Sequence, residues 1–169
     1  MNMKHSGGYS KAKGSAFELA VVKLIRKAVK RKFPSESICY RTPRSGGHYI
    51  IGGADIIIGP ELRKIFPFAV ECKHRKTIKL HKLFKVSKET KEFLKQSIEN
   101  TYESDDYPLL VIRGTRTPIF CASTIDALKS SGYEVLSTPH IPGLVFKYRS
   151  KTWKIFLFSF FIKELSNKV

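Results

Sequence analysis

Two strand-forming runs separated by a turn place the tightest limit on how this chain can fold. Residues 54–58 and 65–73 are rich in isoleucine, valine and phenylalanine, and the turn formers Gly59 and Pro60 lie between them. This pattern predicts an antiparallel hairpin, because glycine and proline interrupt a strand and allow the chain to reverse. Amphipathic helical patterns occur on both sides of the hairpin, so we expect one mixed α/β domain.

Periodicity also predicts the other elements of this domain. Residues 15–31 and 87–102 carry apolar side chains at helical spacing, and the glycine-rich residues 42–53 are expected to form a loop. Further elements predicted from the same patterns are strands over residues 37–41, 107–113, 118–122 and 133–136, a helix over 123–130 capped by Ser123, a hairpin of 145–149 with 151–157, and a helix over 160–168. The apolar run 153–161 is interpreted as core, with a dimer interface as the alternative.

The balance of charges indicates the class of partner. The chain has 31 lysines and arginines against 14 aspartates and glutamates, a formal charge of +17. Such an excess attracts polyanions, most simply nucleic acid, with an affinity that falls as the salt concentration rises. Residues 1–13 are predicted to form a flexible basic arm, and residues 14–169 a single folded domain, since 42% of the residues are apolar.

Cysteine spacing and hydropathy exclude several other classes of protein. Cys39, Cys72 and Cys121 lie far apart and match no zinc-binding or disulfide pattern, which is typical of a reducing compartment. The longest apolar run is much shorter than the about 20 residues that a membrane-spanning helix needs. We therefore expect a cytoplasmic protein that has neither disulfides nor a membrane anchor.

Three charged residues are predicted to meet on one face of the hairpin. Alternation along its second strand places Glu71 and Lys73 on the same face. Asp55 lies as far before the middle of the turn as Glu71 lies after it, so the hairpin sets these two residues opposite each other. Bare charges are costly among apolar residues, but a divalent cation between two carboxylates would stabilise them. A solvated strand face is the alternative for a glutamate and a lysine at this spacing.

A fourth charged residue, Glu18, falls within the apolar arc of the first predicted helix. It lies on the same side as Phe17 and Val21, so its carboxylate is predicted to point toward the core. The alternative is a capping box, because Ser15 and Glu18 match the S-x-x-E pattern of a helix start. Both roles stay open at this point.

These residues follow the order of a known set of motifs. Together they resemble the PD-(D/E)xK nuclease superfamily, through three groups of residues: Gly14, Phe17 and Glu18; Gly53, Ala54 and Asp55; and Glu71, Cys72 and Lys73. Residues 41–47, R-T-P-R-S-G-G, are most similar to the serine-containing loop of Holliday junction resolvases from archaea and phages. The resemblance implies a restriction-endonuclease-like core, in which helices flank a mixed central β-sheet.

The resemblance also implies metal-dependent hydrolysis of phosphodiester bonds. Mg²⁺ is the expected ion, with Mn²⁺ as a substitute, because oxygen ligands suit both. Asp55 and Glu71 are expected to bind the ion, with the main-chain carbonyl of Cys72 as a third ligand. Glu18 is expected to be a second-metal or water-mediated ligand. Lys73 is expected to orient or deprotonate the attacking water, or to stabilise the charge that forms on the phosphate.

Residues around this site are predicted to contact nucleic acid, namely Arg41, Arg44, Ser45, His74, Arg75, Lys76 and Gln96. Arginines suit phosphate because they donate two parallel hydrogen bonds, although loop arginines are often only solvated. Ser45 is otherwise an ordinary loop residue. Gln96 resembles the helix glutamine of the superfamily's Q-x-x-x-Y motif, but Tyr102 lies too far along the chain to complete that motif.

The resemblance implies a homodimeric, metal-dependent endodeoxyribonuclease that cuts branched DNA, as a Holliday junction resolvase does, and the positive charge agrees with a nucleic-acid substrate. Two active sites would suit the two-fold symmetry of a junction. A nuclease of restriction or recombination type, acting on linear duplex DNA, is the alternative within the same fold. A non-catalytic nucleic-acid-binding protein is the alternative outside it. The expected location is a prokaryotic or viral cytoplasmic setting.

Overall fold

A single mixed β-sheet organises the protein. The computed structural model describes residues 7–43, 53–76, 87–102 and 105–169. The strands in these residues are β1 (Cys39–Arg41), β2 (Ile56–Ile58), β3 (Phe68–Arg75), β4 (Tyr107–Gly114), β5 (Ile119–Thr124), β6 (Gly143–Tyr148) and β7 (Lys151–Leu157). Their order in the sheet is β1-β2-β3-β4-β5-β7-β6, and among these pairs only β3 with β4 is parallel.

Helices cover both faces of this sheet, which confirms the predicted fold class. The described helices are α1 (Gly7–Val29), α2 (Pro60–Arg63), α3 (Lys88–Glu99), α4 (Ile125–Ser130) and α5 (Phe158–Asn167), with short 3-10 helices at Glu36–Ile38 and Glu134–Ser137. α1 and α5 pack into the larger buried cluster on one face, and α3 packs into a smaller cluster on the other. None of the described helices is long and apolar enough to span a bilayer.

Alternation along β3 divides its side chains between the two faces as predicted. Phe68, Val70 and Cys72 all belong to the larger cluster beneath α1 and α5. The residues between them, among them Glu71 and Lys73, therefore face α3. The predicted hairpin is also confirmed, because β2 and β3 pair antiparallel and α2 forms the connection.

The first helix starts earlier than its pattern of apolar residues predicts. α1 begins at Gly7 and not near Gly14, so residues 7–13 of the predicted flexible arm are helical. Lysine and alanine are good helix formers and no proline interrupts this segment, so the helix continues toward the N-terminus without an apolar face. Residues 1–6 of the predicted arm lie outside the described residues. The division into an arm and one domain stays a prediction.

The segment before β6 does not contain the strand predicted for it. Residues 133–136 form no strand, because a 3-10 helix occupies Glu134–Ser137. The Tyr133 hydroxyl donates to the Ile65 carbonyl at 2.8 Å, and the buried Lys154 ammonium donates to the carbonyls of Thr138 and Ile141. These side-chain bonds hold the segment against the sheet without strand pairing.

The residue that caps α4 is Thr124 and not the predicted Ser123. The Ser123 hydroxyl donates to the carbonyl of Pro108 in β4 instead.

The apolar run 153–161 is core, as the first of its two interpretations predicts. Trp153 and Phe161 have no exposed surface within the single chain, and Phe158 is almost fully buried. Trp153 and Ile155 of β7 belong to the smaller cluster and Phe156 belongs to the larger one, so side chains on both faces of β7 are buried. The alternative of a dimer interface at this run is therefore wrong.

Candidate active site

Asp55 and Glu71 lie opposite each other, as the predicted hairpin requires. Ile56 of β2 is paired with Val70 of β3, which sets the two acidic residues at the next position of the ladder. The Asp55 amide donates to the Val70 carbonyl at 3.0 Å, and the Asp55 Oδ2 accepts the Cys72 amide at 2.9 Å. Both acids are buried, with exposed fractions of 7% and 0%. The backbone of the hairpin thus holds the two acidic residues side by side.

The environment of Glu71 makes its charge costly. Burial, followed by the negative charge of Asp55, raises the pKa of Glu71 to about 7. The Lys73 ammonium and the Asn100 amide act in the opposite direction by hydrogen bonding to the carboxylate. Lys73 Nζ contacts Oε1, and Asn100 Nδ2 donates to Oε2 at 2.6 Å. A cation at this position would therefore relieve the repulsion between two neighbouring acids.

Helix α3 supplies two amide side chains that hold this pair of residues. Gln96 Oε1 accepts a hydrogen bond from Lys73 Nζ at 2.7 Å, while Asn100 binds Glu71. The two amides are four residues apart and so lie on the same face of the helix end. The sequence pattern did not identify Asn100. The superfamily motif has a tyrosine four residues after its glutamine, and the tyrosine that follows Gln96 in this chain is the more distant Tyr102. The residue at the Q-x-x-x spacing is Asn100, and a search for any polar side chain there would have found it.

Gly53 allows Asn100 to reach Glu71. A Cβ atom at Gly53 would lie 2.7 Å from Asn100 Oδ1, closer than such atoms approach in proteins. Asn100 is itself buried, so its side chain has little room in which to move away. The absence of a side chain at Gly53 therefore leaves the space that the Asn100 side chain occupies in the site.

We expect Gly53→Ala to slow the phosphodiester cleavage that the sequence resemblance implies, while the protein remains folded. The added methyl group displaces Asn100, and the loss of a hydrogen bond to a charged group costs about 1.5–3 kcal/mol, or roughly a tenfold to hundredfold loss of rate. Single-turnover cleavage of labelled DNA would measure the effect. Gly14→Ala is the matched control, because its methyl group meets only Glu18 Oε1 at an ordinary 3.9 Å. Equal rates for the two variants would contradict this role of Gly53.

Glu18 lies on α1 and is bound by an arginine. The carboxylate is buried, and its Oε2 accepts a hydrogen bond from Arg41 Nη1 at 3.3 Å, with Ser15 Oγ accepting from the same nitrogen at 3.2 Å. Because α1 begins at Gly7, Ser15 and Glu18 lie inside the helix, and the capping-box alternative is wrong. Arg41, predicted to contact nucleic acid, is here a partner of Glu18.

The three acids surround Cys72 from different sides. Burial raises the pKa of the Cys72 thiol, and the charges of Asp55, Glu71 and Glu18 raise it further. Glu18 is carried by α1, whereas Glu71 lies on β3. Among the described residues, no group of three or more histidine, cysteine, aspartate or glutamate side chains is arranged to hold a metal ion. The contacts given above join Asp55, Glu71 and Lys73 in one group, and Glu18 binds Arg41.

The other residues predicted to contact nucleic acid do not form one group with the acids of the site. Arg44 and Ser45 lie outside the described residues. Arg75 Nε donates to Glu89 at 2.8 Å, and its guanidinium packs over the Phe93 ring at 4.7 Å. His74 lies against the Phe17 ring of α1 at 5.9 Å, and Lys76 is exposed at the end of β3. No described contact brings these three residues to Asp55 or Glu71.

The donors present fit a divalent ion of the magnesium type. Mg²⁺ prefers oxygen ligands and keeps several of its waters, so one or two carboxylates hold it without a closed protein cage. Asp55 and Glu71 provide two adjacent buried carboxylates, and a cation bound between them would stabilise their burial. The described part of the site offers no thiolate or imidazole pair of the kind that zinc uses.

Comparison with known protein families agrees with this geometry. The family described as "Phage putative PDDEXK endonuclease" matches residues 9–140, a segment that includes every candidate residue from Glu18 to Asn100. No curated protein and no solved structure matches the chain significantly. The match covers well over half of the sequence and includes both acids and the lysine of the site. The chain therefore belongs to this phage family of PD-(D/E)xK endonucleases.

Proposed function

We propose that this endonuclease hydrolyses phosphodiester bonds in DNA with the help of Mg²⁺. The observation that carries the proposal is the pair of buried carboxylates, Asp55 and Glu71, opposite each other with Lys73 bound to one of them. Asp55, Glu71 and the Cys72 carbonyl would hold the ion, and Mn²⁺ would substitute for it. A formal charge of +17 supports a polyanionic substrate.

The bound ion would neutralise charge on the scissile phosphate and lower the pKa of an attacking water. The protein's own contribution centres on Lys73. Its ammonium has three N–H donors, of which Glu71 and Gln96 accept two. The third is available to an oxygen of the phosphate, where negative charge increases in the transition state. This arrangement favours charge stabilisation over proton abstraction among the roles open to Lys73.

The α3 amides would act as positioning residues for this chemistry. Gln96 fixes the Lys73 ammonium, and Asn100 fixes the second oxygen of Glu71. Glu18 is proposed as a second-metal or water-mediated ligand, with Arg41 neutralising it when the second ion is absent. Arg41, Arg44, Ser45, His74, Arg75 and Lys76 remain proposed contacts of the DNA.

We further propose that branched DNA is the preferred substrate and that two copies of the chain act together on it. The support is the resemblance of residues 41–47 to the resolvase loop, together with the two-fold symmetry of a four-way junction. We propose that this reaction takes place in the cytoplasm of a phage-infected cell. Sedimentation analysis of the purified protein, free and bound to a junction, would measure the number of copies.

A single set of cleavage assays tests the proposal. Labelled four-way junction, flap and linear duplex are incubated with the protein in Mg²⁺, in Mn²⁺ and in EDTA, beside the Asp55→Ala variant. We expect incision with either ion, none in EDTA or with the variant, and faster incision of the junction than of its duplex arms. Equal cutting of all substrates would reject the preference for branches. No metal-dependent cutting of any DNA would reject the nuclease proposal itself.

A further inference from the structure

A second group of basic residues lies across the sheet from Lys73. β3 and β4 run parallel, and their register pairs His74 with Arg113. Paired residues in a sheet point to the same face, and His74 lies against the Phe17 ring of α1. His74 and Arg113 therefore belong to the α1 face, whereas Lys73 faces α3. Both groups lie at the C-terminal ends of the two strands, since Lys73 is paired with the residue just before Arg113.

Positive charges converge on this point. Lys13 lies one helical turn before Phe17, whose ring lies against His74. Arg75 directly follows His74 on β3. Lys13 approaches from α1, so the cations come from three different elements. Of these cations, Arg75 is already paired with Glu89. In the described part of the chain, no salt bridge joins Arg113 or His74 to an acid.

This arrangement is unfavourable for the isolated protein and favourable for binding an anion. Like charges that share a partly buried surface repel each other, and an arginine without an acidic partner keeps its full hydrogen-bonding capacity. A guanidinium offers two parallel donors that match a phosphate. A strand of DNA that reaches Lys73 at the ends of β3 and β4 would also pass this edge of the sheet.

We propose that Arg113, with His74 and Lys13 beside it, binds a backbone phosphate of the DNA on the α1 face of the sheet. This subsite is separate from the metal site and would hold the substrate a short distance from the bond that is cut. The inference rests on the proposed function, because it takes DNA as the substrate. It assigns a role to Lys13 and Arg113, which the sequence pattern did not identify.

Binding measured without cleavage tests the subsite. The affinity of the full chain for a fluorescent DNA duplex is followed by anisotropy in EDTA over a series of salt concentrations. We expect Arg113→Gln to weaken binding several-fold and to make the slope of log K against log salt less negative by about 0.9, the value for one lost phosphate contact. Arg113→Lys retains the charge, so the slope should stay near that of the unmodified protein. Lys13→Gln, on α1, gives a second measurement that leaves the sheet unchanged.

Arg149→Gln is the matched control. Arg149 is exposed in the turn before β7, and β7 runs parallel to β4 because both pair antiparallel with β5. That turn therefore lies at the end of the sheet where β4 begins, away from Arg113. The subsite is overturned if Arg113→Gln and Lys13→Gln both match this control in affinity and slope. If both variants match the control but the unmodified protein cuts DNA in Mg²⁺, the proposed function stands and only the subsite is rejected.

Discussion

Asp55→Asn and Lys73→Ala are expected to slow DNA cleavage by roughly a hundredfold to a thousandfold while DNA binding remains nearly unchanged. Asp55→Asn removes one of two charges that would hold the ion, and Lys73→Ala removes the donor to the phosphate. Binding is retained because the formal charge of +17, spread over the whole chain, supplies most of the affinity. Single-turnover cleavage in Mg²⁺ and anisotropy in EDTA measure the two quantities separately.

Asp126→Asn and Lys163→Ala are suitable controls for these variants. Both residues are exposed, and each control makes the same chemical change as its counterpart at a position far from the site in sequence. They are expected to cut and bind DNA like the unmodified protein. A parallel loss of binding and cleavage in Asp55→Asn would mean that the acid serves DNA binding or folding, and would contradict its role as a metal ligand.

Phe161→Ala is expected to lower the free energy of unfolding by about 3–5 kcal/mol. Phe161 is fully buried, and its ring lies 4.8–6.4 Å from five other aromatic rings, those of Phe66, Phe68, Tyr133, Phe156 and Phe158. Removal of the ring leaves a cavity among rigid neighbours that cannot all move to fill it. Urea unfolding followed by circular dichroism would measure the change.

Phe160→Ala is the comparison for this stability prediction. Phe160 precedes Phe161 on α5 but is only partly buried, so its removal exposes less apolar surface and leaves no closed cavity. We expect the loss for Phe160→Ala to be less than half of that for Phe161→Ala. Equal losses would mean that the aromatic cluster is able to close around the gap.

The arrangement of the hairpin could be predicted because it depends on local rules. Alternation along β3 decides the faces of Glu71 and Lys73, and the position of the turn decides that Asp55 lies opposite Glu71. Both relations hold within about twenty residues of chain. The same local reasoning failed at residues 133–136, where Tyr133 and Lys154 bind carbonyls of neighbouring segments and replace strand pairing.

The start of α1 could not be predicted from a capping pattern alone. Ser15 and Glu18 match a capping box, but the preceding lysines and alanine continue α1 back to Gly7. Capping patterns predict a helix start only where the residues before them do not favour a helix. Glu18 is consequently an interior residue, and its carboxylate binds Arg41 instead of the helix end.

The sequence alone determined the class of fold and the meeting of two acids and a lysine, since strand periodicity and turn position are properties of adjacent residues. The tertiary structure alone decided which side chains hold that group. Asn100 reaches Glu71 from the end of α3 past Gly53, Arg41 binds Glu18, and the register of β3 with β4 sets Arg113 beside His74. These contacts join residues far apart in the chain, and they depend on how helices pack on the sheet, which no local pattern specifies.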